Sequence, residues 1–403
     1  MSITRREFIA GGTSLLASGL TLPAFLNRTA VAAARAKAGE RILVVVQLTG
    51  GNDGLNTVIP CRDDEYHKAR PTLAVPKDRV LRLDDDLGLH PDMTGLKKLF
   101  DAGRLCVVNN VGYPNPDRSH FRSMDIWHTA ALQPEEARDG WLGRVVDRQA
   151  RPGGPPPALH LDEGSLPLAL HSRTQPVPSI PSLEAFRLSA RAGELEQAIA
   201  AGRSGASDDL LFVQRTAIAS CANARRIEQA AADETRQASY PPTRLAGRLK
   251  QIAQLIGADL GPRIYYTSIG GFDTHAQQAL AHGPLLKDLS DALAAFDADL
   301  QARGLADRVL LMTFSEFGRR VKENGSRGTD HGAAAPLFVA GPACRAGIVG
   351  GRPDLDHLQD GDVPHRIDFR SVYATILTDW LELKADEILG KRYDQVSLLK
   401  TRS

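Results

Sequence analysis

A mostly parallel α/β sheet with helices on both faces is the fold class this sequence predicts, and three observations predict it. Short β-branched runs recur, and each opens into a polar or glycine-rich loop: RILVVVQL at 41–48 before TGGNDG, RLCVVNNVG at 104–112, and RVLLMTF at 308–314. Continuous apolar runs of this length are what strands buried on both faces look like. Helical patterns lie between the runs, and the segment GPLLKDLSDALAAFDADLQARG repeats Leu285, Leu286, Leu289, Leu293, Phe296 and Leu300 at three- and four-residue steps, one apolar face that packs on a sheet. Strand, loop, helix and strand in alternation leave the parallel, doubly covered arrangement as the solution that buries every apolar face.

The elements follow in order. Residues 1–38 are expected to be a twin-arginine signal peptide and linker: Arg5 and Arg6 precede Phe8, an uncharged run extends to Leu26, and Ala30-Val31-Ala32 offers a small-x-small cleavage site. That run is too rich in Gly, Ser, Thr and Ala to make a good membrane span. The alternative is an uncleaved N-terminal anchor. The expectation is export through the twin-arginine machinery to the periplasm or beyond, with no stable membrane span in the mature chain. This route carries folded cargo, often with a metal or cofactor bound. Residues 39–403 are then one large α/β domain, long enough for a sizeable core. Besides the long amphipathic segment, helices are expected at 94–102, 122–131, 182–201, 208–235 and 243–257, and RIYYTSIGGFDTH and PLFVAG are shorter strand candidates. Residues 150–240, Pro/Gly-rich at first and then rich in Ala, Arg, Glu and Gln, are expected to form a helical insertion or lid within the domain.

Composition excludes several classes. The 49 basic and 48 acidic residues of the 403-residue chain nearly cancel, and Lys/Arg clusters are short, so nothing favours nucleic acid or an anionic membrane as partner. Cys61, Cys106, Cys221 and Cys344 show no C-x-x-C spacing, against a zinc knuckle or thioredoxin-like site. An oxidising compartment permits a disulfide, but Cys106 and Cys221 read more simply as small buried hydrophobes. A redox enzyme has only the export signal in its favour, since no G-x-G-x-x-G or cysteine-rich cluster is present.

Polar residues stand at the end of each predicted strand: Asn52-Asp53-Gly54, Asp117-Arg118-Ser119-His120, Asp273-Thr274-His275, Ser315-Glu316, and then Asp330-His331 before PLFVAG. In a parallel sheet these ends converge on one edge, where such folds place their sites. Asp, Glu and His together are a donor set for a divalent ion such as zinc or manganese. Each group also has a bland reading. GGNDG makes a turn, Asp273 caps a helix beside a solvated His275, Glu316 pairs with Arg319 or Arg320 to offset its desolvation, and Asp330-His331 is a hydrogen-bonded loop pair.

QLTGGNDGLNTVIP, NPDRSHFRSMDIWHT, GGFDTH, TFSEFGRRVKENGSRGTDHG and RIDFRSVYATILTDWL together resemble the exported family known as domain of unknown function 1501, over essentially the whole mature chain. That family belongs to the alkaline phosphatase-like group, with sulfatases and cofactor-independent phosphoglycerate mutases. The resemblance implies metal ligation by Asp53, by Asp273 with His275 and His331, and by Glu316, which stands in the position of the group's strand-ending Asp. It leaves Asp330 as a further donor and Phe317 where a His ligand is expected. It implies a nucleophile at Ser119, with Ser123 second, and Arg118 or Arg122 as binders of an anionic substrate. His120 is a further acid or base, with His128 as another candidate. One or two ions (Zn, Mn, Mg or Ca) are implied, Phe317 leaving the second an all-oxygen site. The function expected is a metal-dependent hydrolase of phosphoester bonds, less so of sulfate esters, acting on a small or polymeric anionic ester. A metal-containing exported binding protein that has lost the chemistry is the alternative.

Overall fold

A computed structural model describes residues 40–151, 156–183 and 238–401. The predicted signal segment and the helices expected at 182–201 and 208–235 fall, apart from residues 182–183, outside the described residues, as does Cys221. The strands are β1 (Ile42–Thr49), β2 (Val58–Pro60), β3 (Leu81–Arg82), β4 (Leu87–Leu89), β5 (Leu105–Gly112), β6 (Ala158–Leu161), β7 (Ser179–Ile180), β8 (Ile264–Gly270), β9 (Val309–Ser315), β10 (Ala335–Ala340), β11 (Gly347–Val349) and β12 (Ile367–Asp368). The main sheet runs β11-β5-β10-β9-β1-β8-β6-β7, with β12 also on β5, and β2-β4-β3 form a small antiparallel sheet. β1 is central and pairs in parallel with β8 and β9, so both of its hydrogen-bonding edges are satisfied, and Ile42 to Leu48 are all buried.

Alternate side chains of β1 enter two cores, as a two-residue period requires. Val44, Val46 and Leu48 face α1 (Thr94–Asp101), α4 (Arg244–Gly257) and α5 (Gln278–Ala302), whose Leu249, Leu286, Leu289, Leu293 and Phe296 fill that layer. Leu43 and Val45 face α2 (His120–Thr129), α3 (Trp141–Gln149) and α6 (Phe369–Thr375) through Trp127, Trp141, Val145 and Tyr373. Burying residues of this size contributes about 1.5–3 kcal/mol each, and it is this burial that holds the strand ends in register.

Among the described strands of the main sheet, β10 alone runs against the others, antiparallel to both β5 and β9. Its N-terminal end therefore lies at the edge where β1, β5, β8 and β9 finish. The segment before it, with Asp330 and His331, is delivered to the same edge as the other strand-end loops. Two sequence expectations change. Residues 158–161 and 179–180, expected within an insertion, are strands of the main sheet. The long helix begins at Gln278, five residues before Gly283-Pro284, and runs through Pro284. Proline removes one backbone donor, but the extra turn holds Gln278 and His282, both buried and hydrogen-bonded to Asp53 and Asn52. Cys61, Cys106 and Cys344 are buried free thiols.

Candidate metal centre

The turn after β1 needs glycine. Gly50 and Gly51 have φ of 119° and 77°, and a Cβ on Gly51 would lie 2.3 Å from the Phe317 ring. That turn brings the Gly50 N–H to Glu316 Oε1 at 2.8 Å. Its two carbonyls accept from Arg319, a fully buried guanidinium that also donates to the carbonyls of Phe272 and Thr329 and, at 2.6 Å, to Asp273 Oδ1. One arginine thus ties the loops after β1, β8 and β9 together and holds Asp273 in place.

Around Asp273 Oδ1 three imidazoles converge. His331 Nε2 and His275 Nε2 each lie 3.1 Å from it and 2.9 Å from one another, and His120 Nε2 lies 3.5 Å away. Ligand atoms of His120, Asp273 and His331 all fall within 4.8 Å of one another. Every one of these rings has an acceptor at its other nitrogen. His120 Nδ1 meets Glu316 Oε1 at 2.9 Å, His275 Nδ1 meets Asp330 Oδ1 at 3.2 Å, and His331 Nδ1 meets the Arg118 carbonyl at 2.7 Å. Where Nδ1–H donates in a ring, its Nε2 keeps a lone pair that can take a proton or a metal ion, and orientation of metal-binding histidines by carboxylates and carbonyls is the usual second layer of metal sites. Burial works against the charged form of Asp273, but Arg319, with His331 and His275, outweighs it and holds the carboxyl at about 2, so a deprotonated ligand is available at neutral pH.

The structure brings Asp273, His275 and His331 together and adds His120, for which the sequence suggests an acid or base role. Its signal was present in the sequence, a histidine directly after a strand-end serine, but nothing there said that Glu316 would hold its Nδ1. Glu316 and Asp330, expected as ligands, stand one layer back and orient His120 and His275. Glu316 is fully buried and accepts from Gly50 N–H, Ser315 Oγ and His120, whereas Arg319 and Arg320, its suggested partners, are engaged elsewhere.

Asp53 is not brought to this cluster. It is fully buried, and Arg70 spans both its oxygens at 2.5 and 2.9 Å while Gln278 donates to Oδ2. Burial opposes its ionisation, yet Arg70 holds its pKa below the usual carboxylate value. The partner that withholds Asp53 is Arg70, the residue that closes the short helix Asp64–Ala69. Phe317 occupies the position expected for another histidine, buried against His120 and His331 with ring centroids 4.9 and 4.7 Å away.

Ser119 is the N-cap of α2, is exposed, and makes no side-chain cap hydrogen bond. Its N–H is held by Asp117 Oδ1 at 2.7 Å. Ser123 is sealed: its hydroxyl donates to the Glu316 carbonyl at 2.5 Å and contacts Tyr113 Oη at 2.8 Å. His128 is also buried, against Gln47 and Tyr266, remote in role from the cluster. Arg118 is committed to Asp362 at 2.5 Å, and Arg122 pairs with Asp117 and Glu135.

Residues 40–381 match the family described as Protein of unknown function (DUF1501). The chain belongs to the DUF1501 family. No curated protein matches it. Among solved structures, this DUF1501 chain is similar to the sulfatase PsFucS1 of Pseudoalteromonas sp., at 11% identity over 92% of this chain and 74% of that one, TM-score 0.41. It is similar also to a protein in the alkaline phosphatase superfamily from Vibrio parahaemolyticus, 8% identical over 82% and 71%, TM-score 0.34. A third is the phosphonate monoester hydrolase SpPMH of Silicibacter pomeroyi, 10% identical over 88% and 77%, TM-score 0.33. Among the described residues no helix is long and apolar enough to cross a membrane.

Proposed function

We propose that this DUF1501 protein is an exported, metal-dependent hydrolase of phosphoester bonds, with sulfate esters second, acting through Ser119 beside a single divalent ion. The observation that supports it most is the convergence of His120, His275 and His331 Nε2 on Asp273 Oδ1, each ring held at Nδ1 by a separate acceptor. Three nitrogens and one oxygen suit a zinc-like ion better than magnesium or calcium. When bound, such an ion would supply Lewis acidity toward a phosphoryl or sulfuryl oxygen. A second ion is not part of the proposal, because Asp53 already has Arg70 as its cation and Phe317 fills the neighbouring space.

The chain's own residues do the rest. Ser119, exposed and free of a capping bond, attacks the central atom of the ester in line, the alcohol leaves, and water then releases the acid from the serine. The N-terminal amides of α2, a ten-residue helix, favour an anion at that point. Export rests on Arg5 and Arg6, and replacing both by Lys should leave the precursor in the cytoplasm; unchanged export would remove that part of the reading.

The deciding experiment uses protein exported by its native host, with metal measured by mass spectrometry and hydrolysis of 4-nitrophenyl phosphate, phosphodiester and sulfate followed in wild type and Ser119→Ala. One equivalent of metal and turnover lost in the variant are expected. Metal bound with no turnover of any ester points instead to a non-catalytic binding protein, the reading that the sequestered Asp53 favours. Absence of tight metal sinks both.

A further inference from the structure

The two loops that bring Asp273 with His275 and Asp330 with His331 lie closer together than a side chain between them would allow. A Cβ on Gly328 would come within 2.2 Å of the His275 carbonyl group. Three backbone bonds join the loops: Gln277 N–H to the Ser326 carbonyl at 3.0 Å, Gln278 N–H to the Arg327 carbonyl at 2.9 Å, and Thr329 N–H to the Thr274 carbonyl at 3.2 Å. On the exposed side Asn324 Nδ2 donates to the His275 carbonyl at 2.9 Å and to Asp330 Oδ1 at 3.1 Å.

On the buried side one amide serves both loops. Gln278, the first residue of α5 and fully buried, accepts at Oε1 from Thr274 Oγ1 at 3.0 Å and from Thr329 Oγ1 at 2.6 Å. Its Nε2 donates to Asp53 Oδ2. An ionised carboxylate only accepts, so Asp53 decides which way round the amide lies, with NH2 toward Asp53 and Oε1 toward the two hydroxyls. Both threonines are buried. Thr274 stands between Asp273 and His275, and Thr329 directly precedes Asp330 and His331.

We infer that Gln278 is a positioning residue of the metal centre: by holding Thr274 and Thr329 on one oxygen it sets the separation of His275 and His331, whose Nε2 atoms lie 2.9 Å apart, before any ion binds. Zinc–nitrogen bonds are about 2.0–2.1 Å long, so a shift of one loop against the other by about 0.5 Å is felt at the ion. Loops ordered beforehand also spare the ion the conformational entropy of ordering them. Gln278 itself touches neither ion nor substrate and acts only through the two hydroxyls. The inference rests on the metal centre proposed above and is independent of the ester chemistry.

The test is zinc affinity by chelator competition, with the stability of the metal-free protein measured beside it by denaturant titration. Gln278→Met keeps an unbranched side chain of similar length, leaves Asp53 to Arg70 and removes the shared acceptor. It should raise the zinc Kd about 10–100-fold, the range expected when a group behind the ligands is lost. Thr274→Val and Thr329→Val should each raise it about tenfold in the parent protein, and by less than about twofold when added to Gln278→Met, because both hydroxyls act through one amide. Thr274→Ser and Thr329→Ser keep the hydroxyl and should stay within about threefold of wild type. If Gln278→Met lowers metal-free stability while the Kd of the folded protein is unchanged, Gln278 is structural only; the inference is overturned and the metal centre stands. Full additivity of the threonine and Gln278 changes overturns it equally. Should Gln278→Met not fold, Thr274→Val against Thr274→Ser decides by the same measure. A wild type that binds no zinc removes the metal reading and this one with it.

Discussion

Asp53 distinguishes two accounts of this site, because a metal ligand and a structural counter-ion respond oppositely to its removal. Both Asp53 and Arg70 have fully buried side chains. In Asp53→Ala the Arg70 guanidinium would keep only the Asn56 side chain and the carbonyls of Val321 and Arg320 as acceptors, all neutral. Breaking a buried pair from one side typically costs about 3–5 kcal/mol, since the remaining charge is left in low dielectric without compensation. The loss should be the same in metal-stripped and metal-loaded protein when measured by denaturant titration. Metal content should stay near that of wild type. Asp53→Asn with Arg70→Met removes both charges and should be less destabilising than the two single changes added together. Because Arg70 holds the Asp53 pKa below 3.8, the contribution is present above that pH and is lost as pH falls through the lower folded value. If Asp53→Ala leaves metal-free stability unchanged and abolishes metal binding, Asp53 is a ligand after all and the single-ion reasoning fails.

Alanine at His275 or His331 should lower metal content and melting temperature together, since a ligand of the native state stabilises it by mass action; a metal-free melting temperature equal to that of loaded wild type counts against the centre. Glu316→Gln should weaken metal affinity about 10–100-fold without removing binding, as expected of a group that orients His120, and calorimetry or competition with a chelator reads this directly. Ser119→Ala and Ser119→Asp should each cut turnover by several orders of magnitude, up to about 10⁶-fold, with metal and fold retained; full activity in both removes the nucleophile from this position. Burial depresses His128 to about 3, and His160 and His282 to about 4. A buried neutral histidine binds its proton more weakly than in the unfolded chain. Stability should therefore fall as pH drops below about 6.5, by up to roughly 1.4 kcal/mol per unit for each of the three until about pH 4. His128→Gln should make that slope shallower, and an unchanged slope in urea titrations across this range would contradict the assignment.

The residue pattern by itself determined the sheet, its mostly parallel sense and the edge at which the polar strand-end residues gather. The physical reason is local. Runs such as VLLMTF and ILVVVQL can be satisfied only when both faces are buried, and loops of Gly, Asp and His can follow them only at an exposed end. That Asp273, His275 and His331 gather at one edge was legible for the same reason, each lying within five residues of a strand terminus. The roles of Asp53, Glu316, Ser123 and Arg118 were not, because each depends on a partner between 10 and 266 residues away: Arg70 for Asp53, Gly50 and His120 for Glu316, Tyr113 and the Glu316 carbonyl for Ser123, and Asp362 for Arg118. Nor could the pattern show that β10 runs backwards, which is what carries His331 to the same edge as Asp273 and His275. Apolar burial follows from the composition of a short window. Whether a carboxylate binds an ion, an arginine or an imidazole is settled by what the tertiary fold places within about 3 Å of it, the reach of a hydrogen bond.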